Sequence, residues 1–315
     1  MSKPSFESPP PIGRRYQAAG RRLALHRTGE GGPAVVFLPG AGLIGLDYLN
    51  IHEEVSRFTT SVIYDRGGTG WSDAARLPRS AAEVAGELRS LLVAADVPAP
   101  YVLVGHSLGG AYARRYTQRF PDDIAGVLFL DPAHEAYGAE PKQPLIAQLR
   151  QGLALVPALL NLKKFYRPKF EAMFASWPDG LRSRLVDYHL ASWGKGLEEA
   201  RNLRTEILDE IRLGGPMPDA PVIMLTAMGI DPFMAPFMAE PYLRELNERK
   251  NGYYTAFARS LQRGEHRALS DAGHSTLHTD RPDAVVAAIA ELVDAAREDA
   301  RSRSPTKLAI GASRD

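Results

Sequence analysis

The chain contains no cysteine, which excludes disulfides, thiolate nucleophiles and cysteine-bound metals. An excess of charge of one sign is also missing. The 38 basic and 37 acidic side chains leave a formal charge of +1, so there is no electrostatic footprint for nucleic acid. The short basic pairs Arg14-Arg15 and Arg21-Arg22 read as solvated surface. No apolar run approaches the roughly 20 residues of a membrane span. The opening Met1-Ser2-Lys3-Pro4 lacks the apolar stretch of a secretory signal. The expectation is a cytoplasmic protein whose partner is a small molecule, with neither nucleic acid nor membrane involved. Composition says nothing of oligomeric state. At 315 residues, the chain is long enough for one large α/β core.

What is present is a series of short apolar runs that end in Gly, Pro or Asp. Leu23–Arg27, Ala34–Leu38, Ser61–Tyr64, Tyr101–Gly105, Gly126–Leu130 and Val222–Thr226 read as strands, with Arg267–Leu269 a weaker candidate. Helical spacing falls between them, over Ala81–Ala94, Leu108–Phe120 and Asp283–Arg297. Alternation of this kind predicts an α/β fold, with a mostly parallel central sheet flanked by helices. The rhythm breaks over residues 135–215, which carry helical patterns and the aromatics Phe165, Tyr166, Phe170, Phe174, Trp177, Tyr188 and Trp193. A crossover needs far fewer residues. The segment reads as an inserted helical cap over the carboxyl edge of the sheet, with core segments 14–134 and 216–300 and flexible termini 1–13 and 301–315. Its aromatics suit either glue between cap and core or the roof of an apolar pocket.

The most informative stretch is Tyr101-Val102-Leu103-Val104-Gly105-His106-Ser107-Leu108-Gly109-Gly110. A buried strand runs into a serine with glycines two residues to either side, the G-x-S-x-G pattern of a cramped strand-to-helix turn that exposes the hydroxyl. Such a serine needs a base, and the base needs an acid. His274, in a Gly-His-Ser turn before the last long helix, is the candidate base. His106 adjoins the serine, but the tight turn is expected to point it away from the serine's pocket. His134, His266 and His278 are less well placed, and His26 and His52 are expected at the periphery. For the acid, Asp131 follows the strand Gly126–Leu130 and Asp231 follows the strand Val222–Thr226. Asp131 is preferred, Asp231 is the alternative, and Asp271 is a third choice. Donors for a developing oxyanion are expected from the Leu108 N–H and, in Pro39-Gly40-Ala41-Gly42, the Ala41 N–H.

Leu38-Pro39-Gly40-Ala41-Gly42, Asp65-Arg66-Gly67-Gly68-Thr69-Gly70-Trp71-Ser72, Gly105-His106-Ser107-Leu108-Gly109-Gly110 and Gly273-His274 together resemble the α/β-hydrolase superfamily, and within it a capped serine hydrolase subgroup, over about Leu23 to Ala296. The resemblance implies Ser107 as nucleophile, His274 as base, and Ala41 with Leu108 as oxyanion donors. It also implies a structural role for the turn at Asp65–Ser72. The family more often has His-Gly where this chain has Pro39-Gly40. Its acid usually follows the strand after the cap, often as Gly-x-x-Asp, a pattern that Met228-Gly229-Ile230-Asp231 matches loosely and later than usual. Some capped members place it one strand earlier, which Leu130-Asp131-Pro132-Ala133 resembles. Relatives that dehalogenate or open epoxides carry an aspartate at the elbow, so Ser107 points to acyl transfer from an ester, lactone or amide, with ester or lactone the first choice and no metal or organic cofactor needed. An aminopeptidase or amidase would need acidic groups near the pocket, with Glu198-Glu199 as candidates that otherwise read as solvated helix residues. A non-catalytic ligand-binding protein is the remaining alternative.

Overall fold

Short runs of branched apolar residues become the strands of one eight-stranded sheet. The structure is a computed structural model and describes residues 9–136 and 162–303. Strands β1 (Arg14–Ala18), β2 (Arg21–Thr28), β3 (Ala34–Leu38), β4 (Ser61–Tyr64), β5 (Tyr101–His106), β6 (Ile124–Leu130), β7 (Val222–Ala227) and β8 (Gly264–Leu269) lie in the order β1-β2-β4-β3-β5-β6-β7-β8. The pairs β1/β2 and β2/β4 are antiparallel, and every pair from β4 to β8 is parallel. The fold is that expected from the sequence. β1 was not anticipated, because its alternating exposed edge, Arg-Arg-Tyr-Gln-Ala, has little apolar content.

Alternate residues of β3 serve two cores. Val35 and Phe37 face the side covered by helices α1 (Leu49–Val55) and α10 (Pro282–Arg303), while Val36 and Leu38 face α2 (Ala81–Ala94) and α3 (Leu108–Arg119). Burial on both faces is the reason these strands are apolar throughout rather than alternating. Helix α2 begins at a reciprocal cap, in which Ser80 Oγ accepts from the Glu83 N–H and the Ser80 N–H donates to Glu83. Helix α10 runs on to Arg303, so residues 301–303 of the segment expected to be flexible are helical. The rest of the expected flexible ends, 1–8 and 304–315, lies outside the described residues.

Between β6 and β7 the described residues form helices α4 (Leu162–Met173), α5 (Asp179–Ala191), α6 (Trp193–Ala200) and α7 (Leu208–Leu213), with no strand among them. Residues 137–161 of the expected cap lie outside the description. After β7 comes α8 (Glu240–Ser260), and the four-residue helix α9 (Leu277–Asp280) precedes α10. The carboxyl ends of β3, β5, β6, β7 and β8 open on one edge, and the chain departs to either side of β3 and β5 there. That reversal is the usual place for a ligand site in an open parallel sheet.

Candidate active site

Ser107 follows β5 directly and has φ 52°, ψ −120°, a left-handed conformation uncommon for a residue with a side chain. Close packing sustains it. A Cβ on Gly109 would lie 2.0 Å from the Leu38 carbonyl oxygen, and one on Gly105 would lie 2.7 Å from Gly110 Cα. Glycine at both positions lets α3 start tight against β3 and β5. The hydroxyl sits at the amino end of α3, where the first N–H groups lack helical partners.

His274 Nε2 is 3.0 Å from Ser107 Oγ, and His274 Nδ1 is 2.5 Å from Asp131 Oδ2. Asp131 follows β6, the neighbour of β5, and is also left-handed at φ 43°. The structure therefore brings Ser107, His274 and Asp131 into one hydrogen-bonded line. Asp131 is fully buried, and its Oδ2 also accepts from Lys250 Nζ of α8 at 2.6 Å. Burial would raise the carboxyl's pKa, but the Lys250 charge and the His274 hydrogen bond outweigh it and hold the group below the ordinary carboxylate range. The Asp131 backbone N–H is held by the Leu225 carbonyl.

Asp231 does not reach the imidazole. Its Oδ1 accepts from the N–H groups of Phe233 and Met234, and its Oδ2 from the N–H of Ser275, the residue after His274. It is tied to the histidine's loop through backbone. Asp271 is further from the chemistry, paired with Arg281 at the surface. The same loop is fixed again where Asp280 accepts from the Gly273 N–H and the Thr276 hydroxyl.

The other histidines divide as follows. His106 is buried, yet it borders the cavity beside Ser107 instead of turning wholly away from it. Its Nε2 lies 2.8 Å from the His274 carbonyl oxygen, which can only accept, so Nε2 carries the proton and Nδ1 accepts from Tyr48 OH at 2.7 Å. Burial, together with the neighbouring His274, pushes the His106 pKa down to about 4, consistent with a neutral bridge. His52 was expected at the periphery but is buried, bonded to Thr28 and Ser61, because the polar end of α1 packs onto the sheet. His266 is bound by Thr226 and Thr255, and His278 is fully buried against Tyr48. His134 is stacked on Tyr253.

In the turn after β3 most backbone donors are committed. The Gly40 N–H reaches Tyr48 OH at 3.3 Å, the Gly42 N–H reaches Glu199 at 2.7 Å, and the Leu43 N–H reaches the Gly40 carbonyl at 3.2 Å. The Ala41 N–H has no partner among the described residues. Ala41 lines the cavity beside Ser107, and Leu108 opens α3 next to it.

Above Ser107 lies a cavity of about 550 Å³, within the range of small-molecule sites. Tyr166, Phe170 and Met173 of α4, Trp193 and Leu197 of α6, and Phe233, Met234 and Phe237 after β7 make it apolar. Of the aromatics between β6 and β7, Tyr166, Phe170 and Trp193 line it. Phe174, Trp177 and Tyr188 are buried beneath, with the Trp177 indole donating to the Leu46 carbonyl and Tyr188 OH accepting from the Gly70 N–H. Both expected uses of these rings therefore occur. No carboxylate lines the cavity among the described residues. Glu198 is exposed, whereas Glu199, expected to be solvated, is buried against Arg66 because a cation and a backbone N–H await it there. Lys250 and Tyr48 were not selected from the sequence for any role at the site, and Glu199 was considered only as a carboxylate for a free amine and Arg66 only as part of a structural turn, since each acts through partners distant along the chain.

The family profile described as "Alpha/beta hydrolase family" matches residues 35–288. Among solved structures, a thermophilic esterase from Thermogutta terrifontis aligns with a TM-score of 0.58 at 19% identity, over 88% of this chain and 96% of that one. The enol-lactonase from Burkholderia xenovorans LB400 aligns with a TM-score of 0.58 at 18% identity, over 88% and 98%. At these identities the likeness is one of fold. An uncharacterized protein of Bacillus subtilis (strain 168), YqjL, is 38% identical over 112 residues, which is 34% of this chain and 43% of that protein. The matched stretch thus spans less than half of that relative's length. No helix among the described residues is long and apolar enough to cross a membrane.

Proposed function

This chain belongs to the alpha/beta hydrolase family, and from that premise we propose that it is a serine hydrolase, cleaving an ester or lactone bond of an apolar small molecule through an acyl-enzyme on Ser107. The observation that carries the reading is the unbroken line from Ser107 Oγ through His274 to buried Asp131 at the floor of an apolar cavity.

Ser107 Oγ attacks the acyl carbon while His274 Nε2 takes the hydroxyl proton. Asp131, accepting at Nδ1, sets the tautomer and stabilises the imidazolium that forms. The carbonyl oxygen, now negative, is met by the Ala41 and Leu108 N–H groups. The C–O bond then breaks, and His274 returns its proton to the leaving alkoxide, which in a lactone stays tethered to the acyl group. Water enters, gives a proton to His274 and attacks the ester carbon, and the acid product leaves as the proton returns to Ser107. On this reading α4 to α7 act as the cap, and its rings hold the apolar part of the substrate. The esterase and lactonase among the fold relatives are in keeping with this chemistry. An aminopeptidase is less well supported, because Glu199 is already engaged by Arg66 and, among the described residues, the cavity offers no carboxylate to a free amine.

A fluorophosphonate should form an adduct on Ser107 of the wild type and none on Ser107→Ala, and a panel of p-nitrophenyl esters, lactones and amino-acid amides should show turnover of the first two classes. An unlabelled wild type that binds apolar ligands but turns nothing over would make the chain a binding protein.

A further inference from the structure

The cap meets the turn after β3 through a buried ion pair. Arg66 of the Asp65–Ser72 turn and Glu199 of α6 form an ion pair whose side chains are 1% and 3% exposed. The Arg66 guanidinium contacts Glu199 at 3.0 and 3.1 Å, and also donates to the Pro39 carbonyl at 2.6 Å and the Gly40 carbonyl at 2.9 Å. Glu199 Oε2 in turn accepts from the Gly42 N–H at 2.7 Å. One cation from the core and one carboxylate from the cap therefore hold the peptide groups on both sides of Ala41.

The planarity of the peptide bond gives this arrangement its meaning. The Gly40 carbonyl and the Ala41 N–H belong to the same rigid trans unit and point in opposite directions. Fixing the carbonyl on Arg66 therefore fixes the direction of the Ala41 N–H, and fixing the Gly42 N–H on Glu199 fixes the next unit. A second observation places the cap against the same turn. A Cβ on Gly196 of α6 would lie 3.2 Å from the Ala41 carbonyl oxygen and 3.3 Å from Gly42 Cα. An added methyl group would make Ala41 or Gly42 yield by a few tenths of an ångström.

We propose that Glu199 is a positioning residue of the acyl-transfer site, through which the seated cap completes the oxyanion-binding turn by orienting the Ala41 N–H. This rests on the serine hydrolase reading above. Substrate that draws the cap down onto its apolar part would thereby also align the donor, so that cap seating and acylation competence are coupled.

Charge and position predict opposite signs for Glu199→Gln. Left without its carboxylate, Arg66 would add positive potential near the developing oxyanion and speed acylation. A slackened turn would slow it, since an error of about 1 Å in placement costs up to about a hundredfold. The experiment measures kcat, KM and the rate of fluorophosphonate labelling, together with the affinity for N-phenyl-1-naphthylamine, a neutral apolar fluorophore. We expect kcat and the labelling rate to fall about 10- to 100-fold, with KM and fluorophore affinity within about threefold. Gly196→Ala, which removes no charge and whose gain in helix propensity offsets part of the crowding against Ala41, should slow acylation while staying folded, and it decides the matter if Glu199→Gln fails to fold. Acylation by Glu199→Gln within about threefold of wild type overturns the proposal. So does a rate loss matched by an equal loss of fluorophore affinity, or a folded Gly196→Ala at full rate. A wild type that forms no Ser107 adduct instead removes the hydrolase reading, and the positioning role with it.

Discussion

Exchanging each of the two loop aspartates for asparagine separates the acid from the brace. In Asp131→Asn, Lys250 Nζ can only donate and so draws the amide oxygen toward itself, to the spot where Oδ2 now meets both Lys250 and His274 Nδ1. The imidazole keeps its tautomer but loses a full negative charge. At about 4 Å between charge centres and an effective dielectric constant near 20, that charge is worth about 4 kcal/mol to the imidazolium, or roughly a thousandfold in rate. If the amide turns over and presents its NH₂, the wrong tautomer results and the loss approaches 10⁴-fold. In Asp231→Asn the oxygen accepting from Phe233 and Met234 is retained, and only the bond from the Ser275 N–H is lost. One such bond is worth about 1–2 kcal/mol, so the His274 loop should loosen and the rate fall about 5- to 30-fold. The assay is kcat/KM on a p-nitrophenyl ester, with near-UV circular dichroism as the control for folding. A folded Asp131→Asn within tenfold of wild type, beside a folded Asp231→Asn slowed a thousandfold, would refute the assignment.

Other perturbations test neighbouring features. Lys250→Met leaves Asp131 buried with only His274 beside it, and should lower stability in urea by about 2–4 kcal/mol; no change would mean the ion pair is energetically idle. Phe170→Ala should enlarge the cavity at a cost of about 3 kcal/mol and shift ester preference toward bulkier acyl groups, which a kcat/KM series would record; an unaltered preference would place the acyl group elsewhere. Stability should also fall in acid. Burial lowers the His106 pKa to about 4 and the His52 pKa to about 3, so as pH drops below about 6.5 the unfolded chain takes up protons that the native state refuses. Asp65, whose pKa is raised by burial to about 6, works in the opposite sense over part of that window. Two histidines against one carboxyl predict a net decline between about pH 6.5 and 4 in thermal melts; a flat Tm would contradict these burials.

The strands and the serine turn were readable because their signals are local. β3 and β5 are apolar on both faces, and Gly105 and Gly109 sit where a Cβ would strike backbone. Helix α8 escaped the periodicity test for a physical reason. Its inward residues Leu243, Asn247, Lys250 and Tyr254 keep helical spacing, but two are polar, so the stripe does not register as hydrophobic. Those two polar residues do the work of the face, Asn247 holding the Met228 and Gly229 carbonyls and Lys250 holding Asp131. The choice between Asp131 and Asp231 was open in sequence because both follow strands that end at the same edge. What separates them is the left-handed turn at Asp131, a conformation aspartate tolerates better than most residues. The partner of Glu199 lay hidden for the converse reason, since nothing in α6 announces a cation on another segment.

A carboxylate stationed at the end of β6 changes what the next connection is free to do. The loop after β7 lends Phe233, Met234 and Phe237 to the cavity wall, and on this reading it carries none of the proton-transfer chemistry. Selectivity and reactivity then reside on separate stretches of backbone. That division allows the wall to be recut by substitutions after Asp231, while the proton path, anchored on β5, β6 and the segment beyond β8, is left undisturbed.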